Sequence, residues 1–290
     1  MTDLRYEAPA TLDAAVALLK NTTGTARVLA GGTDVIVQMQ TDLIEPELLV
    51  DIKKIAELHR IADEGGSFRV GAAVTCMELV EHAGFAAAWP GVVDAVKLIG
   101  SIQVKGRATL AGNLCNASPA ADSVPALIVA GAKVAIIGPN GARELPVEKV
   151  PTGPGTTALA RGEIVTAIVF PKRPPGAGDA YQRITPRTEM DIAVVGCGIN
   201  LTLDERGICT AARIALGAVA PTALLVDEAA KALVGTPVDA AALERLAKAA
   251  SAACRPIDDK RGTKEYRIKV AGVLARRVAQ KALERARAPQ

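Results

Sequence analysis

Two glycine-rich segments about eighty residues apart constrain this chain most: Ala30-Gly31-Gly32-Thr33-Asp34, and the run from Thr109 to Asp122 that contains Ala111-Gly112-Asn113. Adjacent small residues let backbone approach a ligand closely, and unpaired amides can then be aimed at a phosphate. Either segment alone reads equally well as a structural turn. Together they predict one dinucleotide gripped at its pyrophosphate from two sides. In the second segment Asn113, Ser118 and Asp122 add hydrogen-bonding groups, while Ala117, Pro119, Ala120 and Ala121 keep it narrow.

The surroundings give the glycines their meaning. Leu12, Ala15, Val16 and Leu19 recur at helical spacing, and Ala26 to Ala30 then reads as a strand running into Gly31. Thr33 or Asp34 caps a second helix with Val35, Ile36 and Met39 inward, so the first segment sits at a strand-to-helix turn where the helix dipole assists the amides. Strands follow at Leu48 to Ile52 and around Ile61, Phe68, Val70 and Val74, then a capping box at Thr75 and Glu78 and a helix from Pro90 to Leu98. The second segment reads as a loop ahead of a helix from Ser123 to Ala130. Strands at Lys133 to Ile137 and Glu163 to Phe170 are separated by a turn at Pro139-Asn140-Gly141. The proline-rich run 171–178 reads as an extended connector and a domain boundary. Beyond it, three strands (180–184, 192–203, 208–216) precede three helices (226–233, 239–253, 263–285), an α+β pattern rather than a parallel βαβ series.

Composition removes several classes. With 290 residues, 50% apolar and 22% charged, the chain is globular and long enough for two cores. Three Phe, three Tyr and one Trp leave no platform for stacked bases, so no nucleic-acid partner is expected and a ring-shaped ligand should meet aliphatic walls. Cys76, Cys115, Cys197, Cys209 and Cys254 lack metal-cluster spacing, and His59 and His82 are the only histidines, so no metal site is predicted. The longest apolar run, Val124 to Gly138, is too short to span a bilayer and contains Lys133, so no membrane span is predicted. The first residues lack the pattern of a secretory signal, and a cytoplasmic location is expected. Residues 260–290 carry +8 and the remainder −5. This tail reads as a helix with a solvated basic face and a buried stripe of Tyr266, Val270, Val273, Leu274 and Val278.

Neither segment fits G-x-G-x-x-G or the P-loop pattern. In order and spacing they resemble the FAD-binding medium subunits of the molybdenum hydroxylases, the family of xanthine dehydrogenase and aerobic carbon monoxide dehydrogenase. The family patterns A-G-G-x-[SD], T-[IL]-G-G-N and A-x-P-x-[AS]-D, the stretch Tyr181 to Ala193, and the terminal helix opening Glu265-Tyr266-Arg267 carry the likeness over nearly the whole chain.

The resemblance implies an α+β chain. A two-lobed FAD-binding domain of the PCMH type spans 1–174, with sublobes 1–55 and 56–174, and 179–290 forms a C-terminal domain with a three-stranded antiparallel sheet and helices. It implies FAD held by Val28, Leu29, Ala30, Gly31, Gly32, Thr33 and Asp34 on one side and by Thr109, Ala111, Gly112 and Asn113 on the other. Asp122 would meet polar flavin or ribityl groups, Ile99 and Gly100 would run beside the isoalloxazine, the Val165 backbone would meet the flavin, Arg183 would lie near the ring and Ile192 over one face. Ala111 departs from the family's glycine and demands a negative φ there.

By the same resemblance no residue of this chain is catalytic. Electrons would come from two [2Fe-2S] clusters of a small partner subunit, fed by a large molybdenum-cofactor subunit, and leave to NAD, a quinone or oxygen, within a dimer of heterotrimers. The alternative is a self-sufficient FAD-dependent reductase of the same fold, which needs a proton donor such as Ser101, Tyr181 or Glu189.

Overall fold

In the computed structural model, which describes residues 4–188 and 190–288, the chain opens with β1 (Arg5–Glu7), α1 (Leu12–Asn21), β2 (Ala26–Leu29), α2 (Val35–Gln40) and β3 (Leu48–Asp51). The three strands form a parallel sheet in the order β1-β3-β2, with Leu48 opposite both Arg5 and Ala26. All four residues of β3 are buried because it is flanked on both edges. Thr11 caps α1 by accepting from the Ala14 N–H at 3.3 Å, and Ala15 and Leu19 anchor the helix.

Next come β4 (Ile61–Asp63), β5 (Phe68–Gly71), α3 (Cys76–Glu81), α4 (Ala83–Ala88), α5 (Pro90–Lys97), α6 (Ile102–Lys105), α7 (Leu110–Cys115) and α8 (Ser123–Val129). They are followed by β6 (Lys133–Gly138), β7 (Gly141–Pro146), β8 (Pro151–Gly153), β9 (Thr156–Thr157) and β10 (Ile164–Phe170). The main sheet is antiparallel in the order β4-β5-β10-β6-β7. The predicted capping box opens α3: Thr75 Oγ1 accepts from the Glu78 N–H at 3.2 Å, and Glu78 Oε2 accepts from the Thr75 N–H at 2.7 Å. All three phenylalanines of the chain meet here. Phe85 lies edge-on to Phe68 and Phe170 at 5.5 and 4.9 Å, with Trp89 5.8 Å from Phe170. This aromatic cluster sits inside a first core that is otherwise mostly aliphatic.

The rest comprises β11 (Ala177–Ile184), β12 (Val195–Leu203), β13 (Cys209–Gly217), β14 (Leu224–Leu225), α9 (Asp227–Lys231), α10 (Ala240–Ala253) and α11 (Lys264–Arg287). Three long antiparallel strands form the sheet, as expected, and the two-residue β14 adds a fourth at its edge. Ile199, Leu201, Ile214 and Leu216 pack with Leu246, Leu274 and Val278 in the second core.

Several expected elements shift. The second glycine segment is not a continuous loop, because Leu110–Cys115 forms α7. Its signals were Thr109 at the cap and Leu110 and Leu114 one turn apart, both buried, and Gly112 masked them. Ile192 lies outside β12, and β11 begins inside the expected connector. On α11 the buried stripe includes Arg267, Ala271, Leu274, Ala275, Val278, Ala279 and Ala282, whereas Tyr266 and Val273 are 47% and 40% exposed. Alanines serve because this helix lies close against β11 and β12, where larger side chains would hold it off. The basic tail is more than a solvated face. Asp94 on α5 receives Lys281 at 3.0 Å and a forked Arg285 at 2.7 and 3.1 Å, and Arg285 also donates to the Asp179 carbonyl at 2.8 Å.

Helix α8 joins the two cores, and every one of its residues is buried. Its last carbonyls lack intrahelical donors. Asn200 on β12 donates to the Val129 carbonyl at 3.1 Å and Arg213 on β13 to the Ile128 carbonyl at 3.0 Å. The approach requires Gly198, where a Cβ would lie 2.8 Å from the Pro125 carbonyl oxygen. Gly198→Val should therefore lift α8 from the sheet and lower stability by about 1–3 kcal/mol. A urea unfolding midpoint equal to that of the wild type would contradict this packing.

Candidate functional site

The first glycine segment lies where β2 runs into α2. Gly32 takes φ +79°, a conformation L side chains rarely adopt, and turns the chain into the helix. At Gly31 a Cβ would stand 1.9 Å from the Arg107 carbonyl oxygen and 2.5 Å from its carbon. The first segment thus rests directly on the backbone that leads into the second. Lys53 holds the loop from outside, with Nζ donating to the Ala30 carbonyl at 3.1 Å and to Asp51 at 2.8 Å, while the Tyr6 hydroxyl donates to the same carboxylate. Asp34 occupies the N-cap position of α2 without capping it.

In the second segment Thr109 is extended and caps α7, accepting from the Gly112 N–H at 2.9 Å. Ala111 lies inside this helix and outside the set of positive-φ residues, so its side chain meets the demand the sequence placed on it. Asn113 Oδ1 accepts from the Ser123 hydroxyl at 2.6 Å and the Ser123 N–H at 3.4 Å. Asn116 stitches the segments together. Its Nδ2 donates to Asp34 at 3.1 Å, and its Oδ1 accepts from Gln38 Nε2 at 2.9 Å. Burial raises the Asp34 carboxyl above its ordinary pKa.

Between the segments lies a cavity of about 810 Å³, within the usual range for small-molecule sites. Of the residues expected from sequence, Val28, Ala30, Gly31, Gly32, Thr33, Asp34, Ile99, Thr109, Ala111, Gly112, Asn113 and Val165 line it. Leu19, Leu43, Ile44, Ile52 and Leu159 add aliphatic wall, and Arg27, Gln38, Asn116, Arg161 and Glu163 add polar groups. Sequence reading missed these. Asn116 stood inside the glycine-rich run as a polar signal, whereas residues 154–163 reach the cavity only through the fold. Glu163 is neutralised by Arg143, whose two hydrogen bonds at 2.7 Å hold its pKa down.

Five expected residues lie outside the lining. Leu29 is buried, and Gly100 packs against Val104. Ile192 is 48% exposed, and its N–H bonds the carboxylate of Asp191. Asp122 and Arg183 form a buried ion pair, and the Tyr181 hydroxyl donates to the second Asp122 oxygen at 2.8 Å. Asp122 follows helical φ and ψ but makes no cap bond to α8, because both oxygens face β11. As for proton donors, Tyr181 is buried with its hydroxyl committed to Asp122, Ser101 Oγ caps α6, and Glu189 lies outside the described residues. Among the described residues no three His, Cys, Asp or Glu side chains could share a metal ion, and no helix is long and apolar enough to cross a membrane.

Burial pushes the Asp122 carboxyl up to about 6, against the opposing pull of Arg183 and Tyr181. An acid whose pKa rises on folding holds its proton more tightly in the folded state. Its contribution therefore favours folding below the unfolded pKa of about 3.9 and is withdrawn as pH climbs through the folded value. The unfolding free energy of the wild type minus that of Asp122→Asn should fall between about pH 4 and pH 6.5. A difference that stays flat or rises over this window would contradict the assignment.

The geometry has counterparts among known proteins. Residues 2–173 match the FAD binding domain in molybdopterin dehydrogenase, and residues 180–282 match the CO dehydrogenase flavoprotein C-terminal domain. The chain is 38% identical over 282 residues to the carbon monoxide dehydrogenase medium chain of Afipia carboxidovorans, covering 97% of each. It is 33% identical over 280 residues to a putative xanthine dehydrogenase FAD-binding subunit of Escherichia coli, covering 96% of this chain and 95% of that one. A chain of reconstituted CO dehydrogenase from Oligotropha carboxidovorans superposes with TM-score 0.93 at 37% identity, covering 97% of this chain and 98% of its own. A chain of quinoline 2-oxidoreductase from Pseudomonas putida does so with TM-score 0.90 at 29% identity, covering 98% of each. With both parts matched in order and both glycine segments forming one cavity, the chain belongs to the FAD-binding subunits of the CO and xanthine dehydrogenase type of molybdenum hydroxylase.

Proposed function

We propose that the cavity between the two glycine segments holds FAD and that the chain passes electrons between a cluster-bearing partner and an external acceptor. The observation that carries this reading is the contact of Gly31 with the Arg107 carbonyl, which brings both segments onto one cavity and leaves no room there for any side chain. Residues 30–34 and the first turn of α7 hold the pyrophosphate from opposite sides, with Asn113 as a side-chain contact. Val28, Ile99 and Val165 supply aliphatic surface, in keeping with an aromatic cluster spent entirely in the core. Asp122, Arg183 and Ile192, expected near the flavin, stand behind or beyond this wall. In this reading the ion pair of Asp122 and Arg183 sets the wall's position, and Ile192 reaches the ring from an exposed segment.

FAD supplies, when bound, a carrier that takes electrons singly and releases two. The protein's part is to fix the cofactor, shield it with apolar walls and present an edge to the donor. The relatives are named for carbon monoxide, xanthine, quinoline and nicotine chemistry on one subunit fold. That spread supports a reading in which substrate choice lies outside this chain. The partners are then a large molybdenum-cofactor subunit and a small subunit with two [2Fe-2S] clusters, in a cytoplasmic dimer of heterotrimers. The acceptor is NAD, a quinone or oxygen. Residues 1–174 serve as the FAD-holding unit and 179–290 as the support behind it. Of the proton donors a self-sufficient reductase would need, Tyr181 and Ser101 are both engaged in structural bonds.

Two variants separate cavity from scaffold. At Gly112 a Cβ meets only the Thr109 hydroxyl at 3.0 Å, so Gly112→Leu should leave the apoprotein melting temperature near that of the wild type while abolishing FAD retention. Gly31→Ala forces the segments apart and should weaken FAD binding more than about tenfold, a cost above 1.4 kcal/mol. Fluorescence titration of apoprotein with FAD reads both, and retained wild-type affinity in both would refute the cradle. For the electron-transfer role, the tagged chain purified from its host should bring two further subunits with flavin, iron and molybdenum. A lone flavoprotein that turns over NAD(P)H unaided would refute it.

A further inference from the structure

We infer that Ser123 is a positioning residue for the cofactor: it fixes the Asn113 side-chain amide so that the NH₂ group, and not the carbonyl, is the part available to the cavity. The inference rests on the FAD reading of that cavity and names a further residue in it. Asn113 lines the cavity, whereas Ser123 is fully buried and outside the lining. An asparagine amide can face its surroundings in two ways, as donor or acceptor, and only its partners decide which. Here the decision follows from Ser123. The Ser123 backbone N–H can only donate, and it reaches Asn113 from 3.4 Å, so the atom turned toward it is the oxygen; at that length it is a weak tie, and the hydroxyl is the group that holds the amide in place. The Ser123 hydroxyl can donate to the same oxygen, at 2.6 Å. With Oδ1 committed to both, Nδ2 is left over. Among the described residues it meets no protein acceptor.

Ser123 is itself held. It is the first residue of α8, whose N–H groups need partners from outside the helix. Asp122, the residue placed to cap them, turns its carboxylate to Tyr181 and Arg183 on β11. Asn113 therefore takes over as the acceptor for the start of α8. Asn200 and Arg213 hold the other end of this buried helix. The second sheet thus fixes α8, α8 fixes Ser123, and Ser123 sets the polarity of the wall beside the first turn of α7. A donor at that place suits an anionic phosphate oxygen, whereas the flipped amide would present a carbonyl that repels it.

The test uses the full chain stripped of flavin, titrated with FAD and separately with ADP, a probe that carries the pyrophosphate without the flavin. Ser123→Ala should weaken both ligands by about 5- to 30-fold, the size of a lost hydrogen bond and its consequences. In an Asn113→Ala background, Ser123→Ala should have no further effect on binding, because the group it orients is gone. Asn113→Asp, which keeps an acceptor for Ser123 but presents a carboxylate to the cavity, should bind both ligands more weakly than Ser123→Ala does. The inference is overturned if Ser123→Ala binds FAD and ADP like the wild type, whatever it does to the melting temperature. It is equally overturned if Ser123→Ala weakens binding as much without the Asn113 amide as with it, since Ser123 would then act through the scaffold alone. Loss of FAD affinity with ADP affinity unchanged would also overturn it, because the donor would then serve the flavin and not the phosphates. Failure of the wild-type apoprotein to bind FAD would refute the proposed function itself and this inference with it. Wild-type binding combined with any of the first three outcomes would refute only the inference.

Discussion

The site depends on one steric fact: backbone lies against backbone where Gly31 meets the Arg107 carbonyl. A methyl group there would overlap the oxygen, so the two glycine segments can share a cavity only if that position has no side chain. The remaining links act on loops already in contact. Lys53 holds the first segment from outside, and Asn116 bridges Asp34 and Gln38 across the join. Each of these hydrogen bonds contributes about 1 kcal/mol. They fix a geometry that packing has made available.

A second dependence runs through α8. A helix buried along its whole length cannot leave its terminal carbonyls to water: the Val129 carbonyl, which would cost about 1–3 kcal/mol if orphaned, depends on Asn200, whereas the Ile128 carbonyl accepts from the Gly131 N–H at 3.0 Å and Arg213 adds a second bond to it. Because these donors sit on the second sheet, the two cores are coupled where one wall of the cavity is anchored. The Asp122 and Arg183 pair does the same at the other end. Breaking a buried pair by removing one partner leaves an uncompensated charge, which costs several times more than an exposed pair contributes.

Much of this was legible in the sequence. The strand-to-helix turn at Gly31, the capping box at Thr75 and Glu78 and the helix from Pro90 all rest on local signals that tertiary packing did not override. The aliphatic lining of the cavity was foreseeable from the scarcity of aromatics, because the three phenylalanines were few enough to be consumed by one core. The misread parts have physical reasons. Gly112 concealed the helix α7, whose stability comes from burial of Leu110 and Leu114 rather than from propensity. Tyr266 and Val273 matched the helical period but lie outside the buried stripe of α11, since the close approach of that helix to the sheet admits alanine in their place. Asp122 was expected to meet polar flavin or ribityl groups, and its bonds to Tyr181 and Arg183, about sixty residues away in sequence and adjacent only in the fold, left no sequence signal. Residues 154–163 reach the cavity by tertiary packing alone and left no sequence signal.

The central claim is that one cofactor is held at its pyrophosphate between the Gly31 turn and the first turn of α7. The most direct measurement is an experimental structure of the chain reconstituted with FAD. Phosphate density between residues 30–34 and Thr109 to Asn113, with the flavin extending toward Ile99 and Val165, is the predicted result. Well-ordered FAD elsewhere on the molecule, with both glycine segments free of it, would contradict the account.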